Sequence, residues 1–301
     1  MKICVYAITK NESKHVKRWY DSMKEADEIY VLDTGSDDDT VEQLQRLGVH
    51  VKTKVFNPWR FDVARNESLK LVPDDTDLYV CTDLDEVFDK GWRKLLEDNF
   101  NKNNTRVKYL YNWSFKEDGI TPATTFYLDK IHTKGYHWTH PVHEVLTPEI
   151  PESFQLIDGI TLNHYPDSSK SRGSYLPLLE LSVKEDPEDD RNVHYLGREY
   201  MYYNKNYEAI EMLHRHLKLP RATWKDERCA SMRYMARCYH RLGFNEEAIM
   251  WFENAVNEAP YLRESYIELA GLYYELKEPQ KAIELLDKAF EIKEKSTSYL
   301  N

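Results

Sequence analysis

The chain has 301 residues, and at about 150 residues per domain this length favours two domains, while 41% hydrophobic and 13% aromatic residues exclude global disorder. A formal net charge of −11, with no strong basic patch to offset it, excludes a nucleic-acid-binding protein. The four cysteines lack CxxC spacing and no apolar run reaches transmembrane length, so we expect a cytoplasmic protein with no transmembrane segment, zinc site or disulfide framework.

The first 90 residues alternate between strand and helix patterns. Four short apolar or alternating runs predict strands, over Ile3–Ile8, Glu28–Leu32, Val49–Val55 and Leu78–Thr82. Between them, apolar residues at helical spacing predict three helices, over Asn11–Met23, Thr40–Leu47 and Phe61–Leu71. This β-α-β rhythm predicts a sheet that contains parallel strands and has helices packed against it.

The pattern changes between residues 90 and 170. One more helix is followed by four aromatic, strand-like runs, in the order Trp92–Phe100, Val107–Phe115, Thr124–His132, Tyr136–Leu146 and Ile157–His164. Because turns separate these runs, we expect antiparallel strands appended to the parallel core. From about residue 172 onward the pattern is helical, so the predicted domains are residues 1–170 and 171–301.

The C-terminal third repeats itself. Tyr239 and Tyr273 are 34 residues apart, and the same 34-residue offset joins Ala248 to Ala282. An earlier copy around residues 197–220 is separated from the next by an insertion near residues 221–227. A helix-turn-helix period of this length is the signature of tetratricopeptide repeats, whose hairpins stack because none buries its apolar face alone. We therefore predict an all-α repeat domain.

Two aspartates, Asp83 and Asp85, follow the predicted strand Leu78–Thr82. In a chain with 52 acidic residues most such pairs are simply solvated, but position gives this one weight. Residues i and i+2 of an extended chain point the same way, and open α/β sheets bind ligands outside the carboxyl ends of their strands. Magnesium or manganese takes carboxylate oxygens together with phosphate. The spacing predicts a metal–diphosphate site and a nucleotide-linked substrate.

Polar residues also follow the first two predicted strands. Asp33 stands where its carboxylate would accept hydrogen bonds from a base or ribose. In the run that starts at Thr9, Asn11 and Glu12 are either ligand contacts or, more simply, the cap and a first-turn acid of the next helix. Arg65 either faces solvent or reaches the diphosphate, for which a guanidinium is well suited.

The histidines give a second set of candidates. His140, His143 and Glu144 do not form a zinc motif, because there is no HExxH and an intervening proline disfavours a helix. His164 ends a strand-like run. It is either a hydrogen-bonded structural residue or the group that completes a metal site begun by Asp85.

Taken in order, these segments resemble a family 2 glycosyltransferase of the GT-A fold over about residues 1–170. The motifs that carry the resemblance are Ile3–Asn11, Val31–Ser36 with Asp38 and Thr40, Phe61-Asp62 with Arg65-Asn66, Asp83-Leu84-Asp85, Val142-His143-Glu144 and Asn163-His164. The repeats resemble the tail of bacterial glycosyltransferases in which tetratricopeptide repeats follow the catalytic domain, including those that glycosylate peptides.

The resemblance implies a GT-A-type α/β domain, with a mixed sheet flanked by helices, followed by the repeat domain. It implies an inverting, metal-dependent transfer of a hexose or N-acetylhexosamine from a UDP-sugar, with Mn²⁺ or Mg²⁺ as cofactor and a carboxylate as base. The resemblance implies that Thr9, Asn11, Glu12 and Asp33 contact the nucleoside and that Arg65 lies near it. It implies that Asp83 contacts the ribose or the metal ion, and that Asp85 and His164 ligate the metal ion. The implied base is Glu144, with His143 as the second candidate.

The acceptor and two rival functions stay open at this stage. A peptide, protein or glycan acceptor would dock on the aromatic surface of the repeats, and the alternative use of that surface is a homodimer. A nucleotidyltransferase or other metal-dependent phosphotransferase would also use paired acids at a sheet edge, although the sequence has no Walker lysine loop. A non-catalytic tetratricopeptide scaffold with a degenerate nucleotide-binding domain is the other alternative.

Overall fold

The computed structural model describes residues 1–167, 173 and 175–293. The chain divides into two compact units, Met1–Lys170 and Ser171–Asn301. The residues on both sides of the predicted domain boundary, 170 and 171, lie outside the described part. Among the described helices, none combines the length and the apolar composition that crossing a membrane requires.

The N-terminal unit alternates strands and helices before it becomes mainly β. Its described strands are β1 Ile3–Thr9, β2 Glu28–Asp33, β3 His50–Thr53, β4 Leu78–Cys81, β5 Glu86–Phe88, β6 Arg106–Phe115, β7 Pro122–His132, β8 Tyr136–Thr139, β9 Val145–Pro148 and β10 Phe154–His164. Its described helices are α1 Ser13–Met23, α2 Thr40–Arg46, α3 Phe61–Leu69 and α4 Trp92–Asn99.

The main sheet of this unit is mixed, as the sequence predicts. Its described strands run in the order β3-β2-β1-β4-β7-β6-β10-β5. The first four are parallel, and β7 is antiparallel to both β4 and β6. Because β10 is parallel to β6, it has the same direction as β1, β2 and β4. All four strands therefore end at one edge of the sheet, which is where parallel sheets bind ligands.

Helix α1 anchors the sheet through one apolar stripe. Val16, Trp19 and Met23 recur at helical spacing and are fully buried in the core cluster that includes Val5 and Val80 of the central strands. The indole nitrogen of Trp19 donates a hydrogen bond to the hydroxyl of Thr82 at 3.0 Å. This packing fixes the carboxyl end of β4, from which the two aspartates leave.

The structure corrects three details of the strand prediction. The run Tyr136–Leu146 is not one strand but part of the hairpin of β8 and β9, because the loop between them includes His140 and His143 at positive φ (74° and 52°). The run Val49–Val55 shortens to β3. Strand β5 was not expected, because three residues are too few to show the alternation of apolar and polar residues that predicts a strand.

The C-terminal unit is all helical in its described part, which confirms the repeat prediction. Its helices are α5 Tyr175–Glu185, α6 Asp190–Tyr202, α7 Asn206–Lys218, α8 Lys225–Arg241, α9 Asn245–Glu258, α10 Arg263–Glu275 and α11 Pro279–Glu291. The pairs α6–α7, α8–α9 and α10–α11 form hairpins. At Gly197 of α6 an added Cβ would lie 2.6 Å from Cγ of Leu213, so close approach of the two helices requires glycine there.

Candidate active site

Strand β5 is the element that brings His164 to Asp85. Asp85 lies in the turn between β4 and β5, and β5 then pairs antiparallel with β10 so that Glu86 stands opposite His164. The amide of Tyr165 donates to the backbone oxygen of Asp85 at 2.8 Å. As a result, Nε2 of His164 lies 3.4 Å from Oδ2 of Asp85, at the carboxyl edge of the sheet.

The hydrogen bonding of His164 determines which ring nitrogen faces the acid. Nδ1 lies 3.0 Å from the backbone oxygen of Trp113, and since a carbonyl only accepts, Nδ1 carries the proton. In the neutral ring, Nε2 then presents a lone pair to the carboxylate of Asp85. Two acceptors that face each other need a cation between them, either a second proton on the ring or a metal ion. Imidazole nitrogen and carboxylate oxygen are suitable ligands for a first-row divalent ion.

Arg65 joins Asp83 to Glu144. Its side chain lies on α3 and the residue is 4% exposed, so the alternative that it faces solvent is wrong. Nη2 donates to both oxygens of Asp83 at 2.9 and 3.1 Å, and Nε donates to Oε1 of Glu144 in a short ion pair. Burial acts to lower the pKa of Arg65, but the carboxylates of Asp83 and Glu144 outweigh it and raise the pKa.

A lysine that the sequence analysis missed completes this charge network. Nζ of Lys130, on β7, lies 3.4 Å from Oδ2 of Asp83 and 3.5 Å from Oε1 of the buried Glu86. Burial acts to raise the pKa of Asp83, yet the charges of Arg65 and Lys130 hold it well below its usual range. Burial also raises the pKa of Glu86, whose Oε1 accepts a hydrogen bond from Tyr111 at 2.8 Å. A lysine inside an aromatic strand carries no sequence signal for this role.

The loops after β1 and β2 are tied together. The buried carboxylate of Asp33 accepts hydrogen bonds from the amides of Gly35 and Ser36 at 3.1 and 3.2 Å. Oδ1 of Asn11 accepts from the amide of Asp37 at 2.9 Å, and Asn11 has a φ of 54°. Asn11 is therefore not the helix cap, a position that Glu12 occupies without a side-chain cap bond.

The loop after β1 lies beside the turn that carries the two aspartates, because β1 pairs in parallel with β4 and Tyr6 stands opposite Cys81. The hydroxyl of Thr9 is buried and has no hydrogen-bond partner among the described residues. His15, the third residue of α1, lies with Nε2 3.9 Å from Oε2 of Glu12. Burial and the charge of Arg18 lower the pKa of His15, and the charge of Asp85 acts against this shift.

Comparisons with known proteins match two parts of the chain to known families. Residues 4–145 match the family model described as glycosyl transferase family 2, and residues 227–295 match a tetratricopeptide repeat model. Residues 4–145 are a glycosyl transferase family 2 domain. The first match ends one residue after Glu144, so every candidate residue of the site except His164 lies inside it.

The relatives cover only parts of the chain. An uncharacterized glycosyltransferase of Rickettsia conorii is 46% identical over 59 residues, which are 19% of this chain and 20% of that protein. The chain therefore matches about a fifth of the length of this curated relative. Two solved structures resemble parts of the chain. MamA is 21% identical, and the match covers 40% of this chain and 66% of MamA with a TM-score of 0.34. PilF of Pseudomonas aeruginosa is 15% identical, and the match covers 40% of this chain and 53% of PilF with a TM-score of 0.35.

The edge of the family 2 domain thus gathers groups of complementary chemistry. Asp85 and His164 offer oxygen and nitrogen ligands to a divalent cation. Arg65 and Lys130 offer positive charge beside Asp83, where a phosphate group would otherwise meet only acids. His143 precedes Glu144 in the loop between β8 and β9, and the contact between Glu144 and Arg65 links this loop to the acidic edge.

Proposed function

We propose that the chain is a metal-dependent, inverting glycosyltransferase that moves a hexose or N-acetylhexosamine from a UDP-sugar to a peptide, protein or glycan acceptor. The observation that carries the proposal is the 3.4 Å approach of Nε2 of His164 to Oδ2 of Asp85 at the carboxyl edge of a family 2 domain. The proton on Nδ1 of His164 leaves Nε2 available as a ligand, which supports a cation at this point.

In the proposed donor complex, Asp85 and His164 would hold Mn²⁺ or Mg²⁺, with Asp83 contacting the metal or the ribose. A bound cation of this kind would stabilise the negative charge that develops on the diphosphate as it leaves. The unpartnered hydroxyl of Thr9 supports a nucleoside pocket at the end of β1, which Asn11, Glu12 and Asp33 would complete.

Glu144 is the proposed base. As the acceptor attacks, its proton would pass to the carboxylate of Glu144, the bond from the anomeric carbon to the diphosphate would break, and UDP would leave. A positioned base contributes about 10²–10⁴-fold to such a step. Arg65 supports this role because its Nε holds one carboxylate oxygen and leaves the other for the acceptor. His143, the neighbouring residue, is the second candidate.

The tetratricopeptide repeats are the proposed docking surface for a protein or peptide acceptor. Stacked repeats build extended binding surfaces, and the described helices leave aromatic side chains exposed, among them Tyr202, Tyr207 and Tyr274. Self-association of two chains through this surface would be seen as a dimer in solution rather than as an acceptor complex.

The donor proposal is tested with UDP and manganese. Thermal unfolding of the full chain should shift upward when both are present and much less with either alone, because a ligand that binds only the folded state stabilises it by about 2.7 kcal/mol at 100 times its Kd. A panel of UDP-sugars with Mn²⁺ should then release UDP. Release of sugar 1-phosphate instead of UDP would favour a nucleotidyltransferase, and the absence of both stabilisation and turnover would favour the scaffold.

Variants test the site assignments. Asp85→Ala and His164→Ala should each remove most metal-dependent release of UDP, whereas Asp98→Ala, an exposed aspartate of α4, should leave it unchanged. Glu144→Gln should abolish transfer and leave donor binding nearly intact, with Glu149→Gln on the exposed end of the same hairpin as control. Normal transfer by the Glu144→Gln variant would move the role of base to His143.

A further inference from the structure

Three metal-ligating side chains meet where α6, α7 and α8 of the helical unit pack against one another. Asp190 begins α6, His216 lies in the last turn of α7, and Glu227 lies in the first turn of α8. One ligand atom of each residue lies within 4.8 Å of the ligand atoms of the other two. His216 and Glu227 are buried, whereas Asp190 is partly exposed, so solvent reaches the cluster at Asp190.

The two carboxylates of this cluster have no cationic partner in the described part of the chain. Neither Asp190 nor Glu227 forms an ion pair there with a lysine or an arginine. Burial, and next the negative charge of Glu227, raise the pKa of the Asp190 carboxyl above its usual range. Helix N-termini favour an acid at each position, but they do not account for the convergence of both acids on the buried imidazole of His216. A cation bound between the three side chains would account for it.

The surroundings of His216 suit a metal ligand. Nε2 lies 3.2 Å from Oε1 of Glu227, close to the separation of about 3.3 Å between two ligands of a tetrahedral ion with bonds of about 2.0 Å. Nδ1 lies 2.9 Å from the hydroxyl of Ser231, which in turn lies 2.7 Å from Nδ1 of His194. When this hydroxyl donates its one proton to His194, it accepts from His216, and Nε2 of His216 then presents a lone pair. A hydrogen bond from the other ring nitrogen is typical of ligating histidines, because it fixes the orientation of the ring.

We propose that Asp190, His216 and Glu227 form a binding site for a divalent first-row transition metal ion such as Zn²⁺. One imidazole nitrogen and two carboxylate oxygens suit such an ion, and a water molecule would complete a tetrahedral shell. The carboxylate of Asp190 would have to approach by at most about 1.5 Å, which rotation of a partly exposed side chain provides. Because the ligands come from three helices, the ion would link the hairpin α6–α7 to the start of α8. The proposal does not rest on the transferase activity, because all three residues belong to the helical unit.

Equilibrium dialysis of the full chain against Zn²⁺ tests this site in a His164→Ala background, which removes one proposed ligand of the metal site in the family 2 domain. About one equivalent of Zn²⁺ per chain should bind. Asp190→Asn in the same background should weaken this binding at least about tenfold, because it replaces a charged ligand. Asp226→Asn is the matched control and should leave the affinity unchanged, because Asp226 precedes Glu227 on α8 but accepts its hydrogen bond from Tyr261. Weak binding of Zn²⁺ elsewhere on the chain would affect the variant and the control equally.

Two further measurements separate a metal site from a plain hydrogen bond between His216 and Glu227. Co²⁺ in place of Zn²⁺ should give the visible absorption of an ion bound by nitrogen and oxygen, and Asp190→Asn should lose it. Zn²⁺ should also raise the urea midpoint of the His164→Ala chain but not that of the chain with Asp190→Asn added, because a ligand that binds only the folded state stabilises it. A hydrogen bond alone would show neither effect.

The proposal fails if the His164→Ala chain binds no Zn²⁺, or if Asp190→Asn and Asp226→Asn bind it equally. Should Asp190→Asn not fold, His216→Gln in the same background decides by the same measurements, and unchanged Zn²⁺ binding in that variant would overturn the proposal.

Discussion

Arg65 is the residue whose replacement tests the architecture of the candidate active site most directly. Arg65→Met keeps the length and apolar volume of the side chain and removes the guanidinium that contacts Asp83 and Glu144. Breaking a buried ion pair by removing one partner costs about 3–5 kcal/mol, because it leaves an uncompensated charge. The side chain of Asp83 is 34% exposed, so solvent screens part of that loss, and we expect about 3 kcal/mol.

Urea unfolding of the full chain measures this loss, because five of the seven tryptophans lie in the N-terminal unit and report on it by fluorescence. Arg65→Lys is the matched variant. Lysine keeps the positive charge but lacks the separate guanidinium nitrogens that contact Asp83 and Glu144 at the same time, so we expect an intermediate loss of stability. Arg221→Gln is the surface control and should change the unfolding free energy by less than about 0.5 kcal/mol.

A double-mutant cycle isolates the ion pair from the general effect of losing an arginine. Asp83→Asn added to Arg65→Met removes one of the two carboxylates that lose their partner, so the double variant should be less destabilised than the sum of the two single variants by about 1–3 kcal/mol. Additive losses, or an Arg65→Met variant within about 1 kcal/mol of the parent chain, would refute the view that the arginine compensates both carboxylates.

Two further predictions concern stability. Burial lowers the pKa of the His132 imidazole to about 3, whereas that pKa is about 6.5 in the unfolded chain. The stability that neutral His132 contributes is therefore complete above pH 6.5 and is lost as the pH falls towards 3. Urea titrations should show that about 2 kcal/mol of the unfolding free energy is lost by pH 5, and that much less is lost in His132→Gln. Gly197→Ala should lower the thermal stability of the helical unit by about 1–3 kcal/mol through its clash with Leu213, whereas Gly271→Ala, with nothing within 4 Å, should raise it by about 1 kcal/mol.

The parts of the fold that the sequence predicts well are those set by local patterning. Alternating and apolar runs give β1, β2 and β4, and the positions of Asp33 at the end of β2 and of Asp83 and Asp85 after β4 follow directly. The tetratricopeptide hairpins are equally readable, because a repeat presents the same local pattern more than once. In each case the information lies within a few neighbouring residues.

What the sequence does not predict depends on pairing between distant segments. Strand β5 exists because Glu86–Phe88 pairs with the end of β10, and its three residues carry no period of their own. The positions of Lys130 and Arg65 beside Asp83 follow from the order of strands in the sheet and the packing of α3. A lysine in an aromatic strand and an arginine in a short helix are each more often solvated than buried, so composition argues against both.

The contacts of Arg65 decide which substitution at position 144 tests the proposed base. Since one guanidinium holds Glu144 through Nε and Asp83 through Nη2, removal of either acid frees the arginine to move towards the other. Glu144→Ala would therefore disturb the contact between Arg65 and Asp83 as well as remove the proposed base. Glutamine at the same position keeps an oxygen acceptor for Nε and loses only the capacity to take a proton, so transfer lost with donor affinity retained assigns the base to Glu144 itself.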